Sequence, residues 1–266
     1  ERGARVSWGM SLKVLVSAGV GLGMGSVLAD DLGRWWVVVL AGSVALTLLA
    51  VLHGLMPSAP LQRVPGVANR PWPHFHLVAT DRRLRLTLVA WMLMGFGNLM
   101  LLPLRVEYLA NDRFGIGADA AQITLLTVTV PSLLRLVSIP VFGRVFDRLS
   151  FFASRIAVNL LFALYVAAFF TGTSDVGLLI GAIVLGIATA GGDLMWSLWV
   201  TKFAPAGRVA DYMGLHTFFT GVRAVTAPLL AFVVIEHMSV TSVAVIAAWL
   251  MVLSSLLFAL MGACVK

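Results

Sequence analysis

Eight long apolar runs, separated by short charged stretches, constrain this chain more than any other feature. They are Leu12–Leu28, Trp35–Leu55, Leu86–Leu104, Ala120–Phe142, Phe151–Thr171, Val176–Val200, Tyr212–Ile235 and Val240–Val265. A helix that crosses the hydrocarbon layer of a bilayer needs about 20 mostly apolar residues, and these runs have that order of length. Of the 266 residues, 60% are hydrophobic and 12% charged. An ordinary soluble domain is about 45–50% apolar and about 25% charged, so a soluble globule, a disordered tail and a rod-like coiled coil are excluded. Open strands cannot satisfy their backbone groups in lipid, and no alternating barrel pattern is present. The sequence therefore predicts an all-α integral membrane protein with eight transmembrane helices. The single Cys264 excludes a disulfide framework and a cysteine-based zinc site.

The formal net charge of +7 reflects topology. With eight spans, both ends lie on one side of the membrane, and that side carries twelve of the basic residues, from Arg2 and Arg5 to Lys266. The opposite loops carry Arg34, Arg105 and Arg113. Basic loops stay cytoplasmic, so the reading is a multi-pass protein of the inner or plasma membrane with both ends in the cytosol. The basic side can attract anionic lipid, and nucleic acid is not an expected partner. The longest polar stretch, Met56–Arg85, holds Pro57, Pro60, Pro65, Pro71 and Pro73. Proline removes amide donors and disfavours helix, so most of this stretch is expected to be an irregular cytoplasmic linker.

A short internal similarity organises the spans. Ala4-Arg5-Val6-Ser7-Trp8-Gly9-Met10 resembles Gly207-Arg208-Val209-Ala210-Asp211-Tyr212-Met213. Each opens a glycine-bearing span followed by a second one. This alignment makes residues 1–55 the last two helices of one bundle, 56–85 the linker, and 86–266 a six-helix bundle. On that reading, four further spans precede Glu1.

The loop between the fourth and fifth spans reads Gly143-Arg144-Val145-Phe146-Asp147-Arg148. It resembles the Gly-x-x-x-Asp-Arg loop signature of the major facilitator superfamily, without the trailing Gly-Arg-Arg, where Leu149-Ser150-Phe151 stands instead. The resemblance implies an incomplete major-facilitator fold, helices five to twelve of it. Gly143, Asp147 and Arg148 then form the cytoplasmic loop motif, and Asp147 is expected to face the helix start at Arg5–Met10. The tract from Phe203 to Pro228 also looks like bacterial members. The first span has Gly19, Gly21, Gly23 and Gly25 but lacks the Gly-Pro pair of the antiporter signature, which argues against a proton-coupled drug exporter.

Ionisable residues in hydrocarbon are costly and should face protein or water. Lys13 and Arg155 lie near span ends, where long side chains can reach the interface. Arg135, Asp193 and Arg223 lie deeper. Two readings stay open for them: Arg135 and Asp193 pair across a cavity while Arg223 attracts a polar or anionic substrate group, or the pair is a fixed structural tie. The third span carries Gly95, Gly97, Asn98 and Pro103, and helix breakers are best tolerated where a span lines a cavity. In the family, the spans holding Asn98 and Asp193 line the central path, which implies Asn98, Asp193 and Trp196 as lining residues; with the intramembrane charges Arg135 and Arg223 they are the substrate or cavity candidates. An interhelical hydrogen bond for Asn98, and an interfacial belt for Trp196 and Trp199, are the structural alternatives.

Nothing points to a cofactor or metal. His74 and His76 offer only two ligands, too few to close a zinc shell. The glycine-rich phosphate loops and the common hydrolase and metalloprotease motifs are missing. The expected function is that of a non-enzymatic, monomeric secondary transporter that moves a small solute by alternating access, with a proton or sodium ion as the candidate coupling ion. An integral-membrane enzyme and a transporter-like sensor or scaffold are the alternatives.

Overall fold

The structure is a computed structural model that describes residues 9–16, 19–20, 23, 32–56, 72–114, 116–171, 173–205 and 207–263. Among the described residues there are helices and no strands. Seven helices are long and apolar enough to cross a membrane: α1 (Trp35–Leu55), α2 (Arg82–Ala110), α3 (Ala120–Arg148), α4 (Phe151–Phe170), α5 (Asp175–Lys202), α6 (Val209–Ile235) and α7 (Val240–Ala263). The first expected span, Leu12–Leu28, lies largely outside the described residues; those described within it are helical. The Ala4–Trp8 part of the internal similarity lies outside them altogether.

Local sequence sets where these helices begin. Asp81, Asp119, Ser150 and Ser174 each accept the amide of the residue three positions on, at 3.0, 2.7, 3.3 and 3.2 Å. Each thereby satisfies an amide that the first helical turn leaves without a partner. Of the expected linker, residues 57–71 lie outside the described residues; its end is helical, with a 3-10 turn over Trp72–Phe75 and a short helix over His76–Thr80 before α2 starts at Arg82. Proline is tolerated near a helix start, where the amide it lacks would be unpaired anyway, so Pro73 fits such a turn.

The chain divides into two compact units, residues 1–18 with 74–266, and residues 19–73. In the smaller unit, α1 has no buried residue. In the larger one, neighbouring helices follow the order α3, α5, α4, α7, α2, α6. The described segment 9–16 joins this unit through Val14, which is buried with Ile139 of α3 and Ala190 of α5.

Small residues allow the helices to approach closely. A Cβ on Gly97 of α2 would lie 2.8 Å from the Ala247 carbonyl oxygen of α7, and one on Gly186 of α5 would lie 2.5 Å from the Pro131 carbonyl oxygen of α3. Association in lipid depends on such packing and on interhelical hydrogen bonds rather than on exclusion of water. One buried chain of hydrogen bonds ties three helices. Asn159 Nδ2 of α4 donates to Ser254 Oγ of α7 (2.9 Å), and Ser254 Oγ donates to the Ala90 carbonyl of α2 (2.7 Å). The outward faces are apolar, with Val137, Leu229 and Trp249 each more than 60% exposed. A surface of that kind is satisfied by hydrocarbon, not water.

Candidate functional site

The helices of the larger unit form an open cavity of about 390 Å³, lined from α2, α3, α4, α5 and α6. Its size lies within the range typical of small-molecule sites, about 300–1,000 Å³. Asn98, Arg135, Asp193, Trp196 and Arg223 all line it. So do Arg105 and Arg155, so four arginines face one carboxylate.

The helices are irregular where they meet this space. Pro103, Pro131 and Pro228 cannot donate to the carbonyls four residues earlier, those of Leu99, Thr127 and Ala224. These three residues line the cavity. The Leu125–Thr129 turn of α3, which ends two residues before Pro131, is a π-helix, a feature that often accompanies functional sites. Such interruptions are tolerated at membrane depth where backbone is covered by protein or faces water.

Arg135 of α3 and Asp193 of the neighbouring α5 form an ion pair in the cavity wall, with side chains 29% and 38% exposed. Lys13 of segment 9–16 acts on Asp193 through its charge as well. Arg223 of α6 is buried and donates through Nη1 to the Trp91 carbonyl of α2, while its Nε is buried with no acceptor. Its guanidinium occupies the space that a side chain at Gly95 would fill. Glycine at 95 and arginine at 223 are thus two halves of one fit.

Arg155 differs from its sequence reading. It does not reach the interface. It is fully buried, its guanidinium carbon lies 3.9 Å from the centre of the Trp91 ring, and Nε, Nη1 and Nη2 meet no acceptor among the described residues. Arg105, expected in an outer loop, belongs to α2. That helix has 29 residues, about 44 Å at 1.5 Å per residue, and so extends beyond the hydrocarbon layer. The two tryptophans also depart from a belt: Trp196 lines the cavity and Trp199 is fully buried. With Trp91 they surround the buried His216 at ring-centre distances of 5.8, 5.2 and 5.0 Å.

Sequence reasoning missed Arg155, Arg105 and His216. For Arg155 a signal existed: Asn159 follows four residues later and so lies on the same helix face. A polar stripe of that kind in a span points toward protein.

The Gly143–Arg148 motif forms the last turns of α3, away from the cavity lining. Gly143 is buried, and Asp147 and Arg148 are exposed. Lys202, at the end of α5, donates to the Phe146 carbonyl and to the Leu149 carbonyl (3.1 Å), and lies 4.2 Å from the centre of the Phe146 ring. A cation at a helix C-terminus satisfies carbonyls left without amide partners, so this lysine fixes the end of the motif helix. The expected partner of Asp147, the helix start at Arg5–Met10, lies outside the described residues except for Gly9 and Met10. At the same ends of their helices, Tyr212 of α6 donates to Asp81, the residue that caps α2, and His74 lies 3.5 Å from Asp211.

These features define the class: a polytopic helical membrane protein with a basic internal cavity. No family model matches the chain, and no curated protein matches it.

Proposed function

We propose that this chain is part of a secondary transporter of the major facilitator type, residing in an inner or plasma membrane, which moves a small solute by alternating access. One observation carries the reading: a solute-sized cavity, lined from five helices, sits among spans interrupted by proline and a π-turn and holds an ion pair that bridges two of them. Interrupted helices around a midplane binding site recur in secondary transporters. The Gly143–Arg148 loop adds sequence support through its resemblance. The Tyr212–Asp81 and Lys202–Phe146 contacts tie helix ends on the side where that loop lies, the side assigned to the cytosol.

In this mechanism the Arg135–Asp193 pair holds α3 against α5 in one access state, and a solute or coupling ion that competes for either partner loosens it. The reading is tested with the full-length protein in proteoliposomes. Solute-dependent flux that Asp193→Asn abolishes in protein that still folds and reconstitutes supports it. Specific ligand binding with no flux for any bound solute would favour a sensor or scaffold.

A further inference from the structure

We infer that the cavity receives an organic oxyanion, a carboxylate or phosphate ester, through Arg155 and Arg223. This deepens the transporter reading and rests on it for the word solute, but not for the site itself. Arg135 already has Asp193 as its counter-charge. Among the described residues Arg155 has no carboxylate partner, and its three guanidinium nitrogens meet no acceptor although the residue is fully buried. Arg223 spends Nη1 on the Trp91 carbonyl, and its buried Nε meets no acceptor among the described residues. A buried cation with empty donors is costly unless something supplies acceptors. Both side chains line the same cavity.

Guanidinium geometry narrows the class. Its donors form a planar fork that matches the paired oxygens of a carboxylate or phosphate. Trp91 holds both arginines, one over its ring and one on its carbonyl, so the two charges are placed before the ligand arrives. Such preorganisation lowers the cost of binding. Trp196, Phe162 and Leu99 give the cavity an apolar wall, which suits an organic body attached to the anionic group.

The experiment is calorimetric titration of the full-length protein in nanodiscs with phenyl phosphate, succinate and inorganic phosphate, and with tetraethylammonium as a cation. Phenyl phosphate should bind more tightly than inorganic phosphate, and tetraethylammonium should not bind. Arg155→Gln and Arg223→Gln should each weaken phenyl phosphate binding at least about tenfold. Lysine at either position should recover part of the loss, since charge returns without the fork. Arg82→Gln, on an exposed surface, should change nothing. Retained melting behaviour in the arginine variants separates lost binding from lost folding, and if either glutamine variant fails to fold, the lysine variant at that position carries the comparison. Equal affinity in phosphatidylcholine discs and in discs containing phosphatidylglycerol assigns the site to a soluble anion. Loss of binding in the second would assign it to a lipid headgroup and overturn the solute claim. No binding of any anion by folded protein would overturn the site, while flux of a neutral or cationic solute would leave the transporter reading standing. Anion binding without flux of any anion would retain the site and remove that reading.

Discussion

The Arg155 guanidinium lies over the face of the Trp91 ring, and the carbonyl of the same tryptophan accepts a hydrogen bond from Arg223. One residue of α2 thus positions a cation from α4 and another from α6. The ring face offers Arg155 the negative side of its quadrupole, an interaction that is stronger when desolvated, at about 2 kcal/mol. Trp91→Leu removes that support and leaves a cavity where the indole stood. Its expected result is a loss of about 2–4 kcal/mol in stability and a larger proportional loss in solute binding, measured by thermal unfolding and titration of the same preparation.

Gly95 and Gly97 should respond differently to alanine. At Gly95 the new methyl meets the movable end of Arg223; at Gly97 it meets the backbone of Ala247. Gly95→Ala should therefore fold with a cost near 1 kcal/mol and bind solute about tenfold more weakly, because Arg223 is displaced. Gly97→Ala should force α2 from α7 and cost about 1–3 kcal/mol. Unfolding midpoints together with binding curves distinguish the two patterns.

Breaking the Arg135–Asp193 pair from one side should be worse than removing both charges. Asp193→Asn or Arg135→Gln alone leaves a charge in the cavity without its partner, at about 1–3 kcal/mol. That is less than for a fully buried pair, because the side chains are 29% and 38% exposed. The double variant should recover part of the stability and none of the flux. Equal stability losses in all three variants would show that the pair is not coupled.

Ser254 accepts from Asn159 and donates to Ala90, so Ser254→Ala strands the Asn159 amide donor in the core and removes the second donor from the Ala90 carbonyl, which keeps its place in the α2 ladder. A loss of about 1–2 kcal/mol is expected, with hydrogen exchange rising first in α7. A variant that exchanges like the parent would mean that the chain of bonds contributes little.

The Asp81–Tyr212 contact should depend on pH. Burial of Asp81 raises its carboxyl pKa, but donation from Tyr212 and from the Leu84 amide outweighs this and holds the pKa below the usual aspartate value. A pKa lower in the folded state stabilises that state above the unfolded value, about 4. The contribution is lost as pH falls through the folded value. Tyr212→Phe should lower the melting temperature at neutral pH and have a smaller effect at acid pH, where Asp81 is protonated in both states. An equal effect at both pH values would assign the loss to packing.

Much of the architecture was legible from composition and local chemistry. The limits of α1 coincide with the expected run Trp35–Leu55, and Asp81, Asp119, Ser150 and Ser174 sit where helix starts need an acceptor. Arg135, Asp193 and Arg223 could be singled out because depth in a span follows from counting residues. Arg155 was misread for the same reason. Counting placed it near a span end, whereas its rotational position turned it inward against Trp91.

The sequence by itself determined which segments must seek lipid and where their helices start. Transfer from water to hydrocarbon acts on each residue almost independently, and a capping acceptor lies only three residues from its amide. The tertiary structure decided which charges share a cavity. That depends on the rotation of each helix and on neighbours such as α2 beside α6 and α3 beside α5, which are not adjacent in the chain. A basic cavity arises from such long-range contacts, and no local preference encodes them.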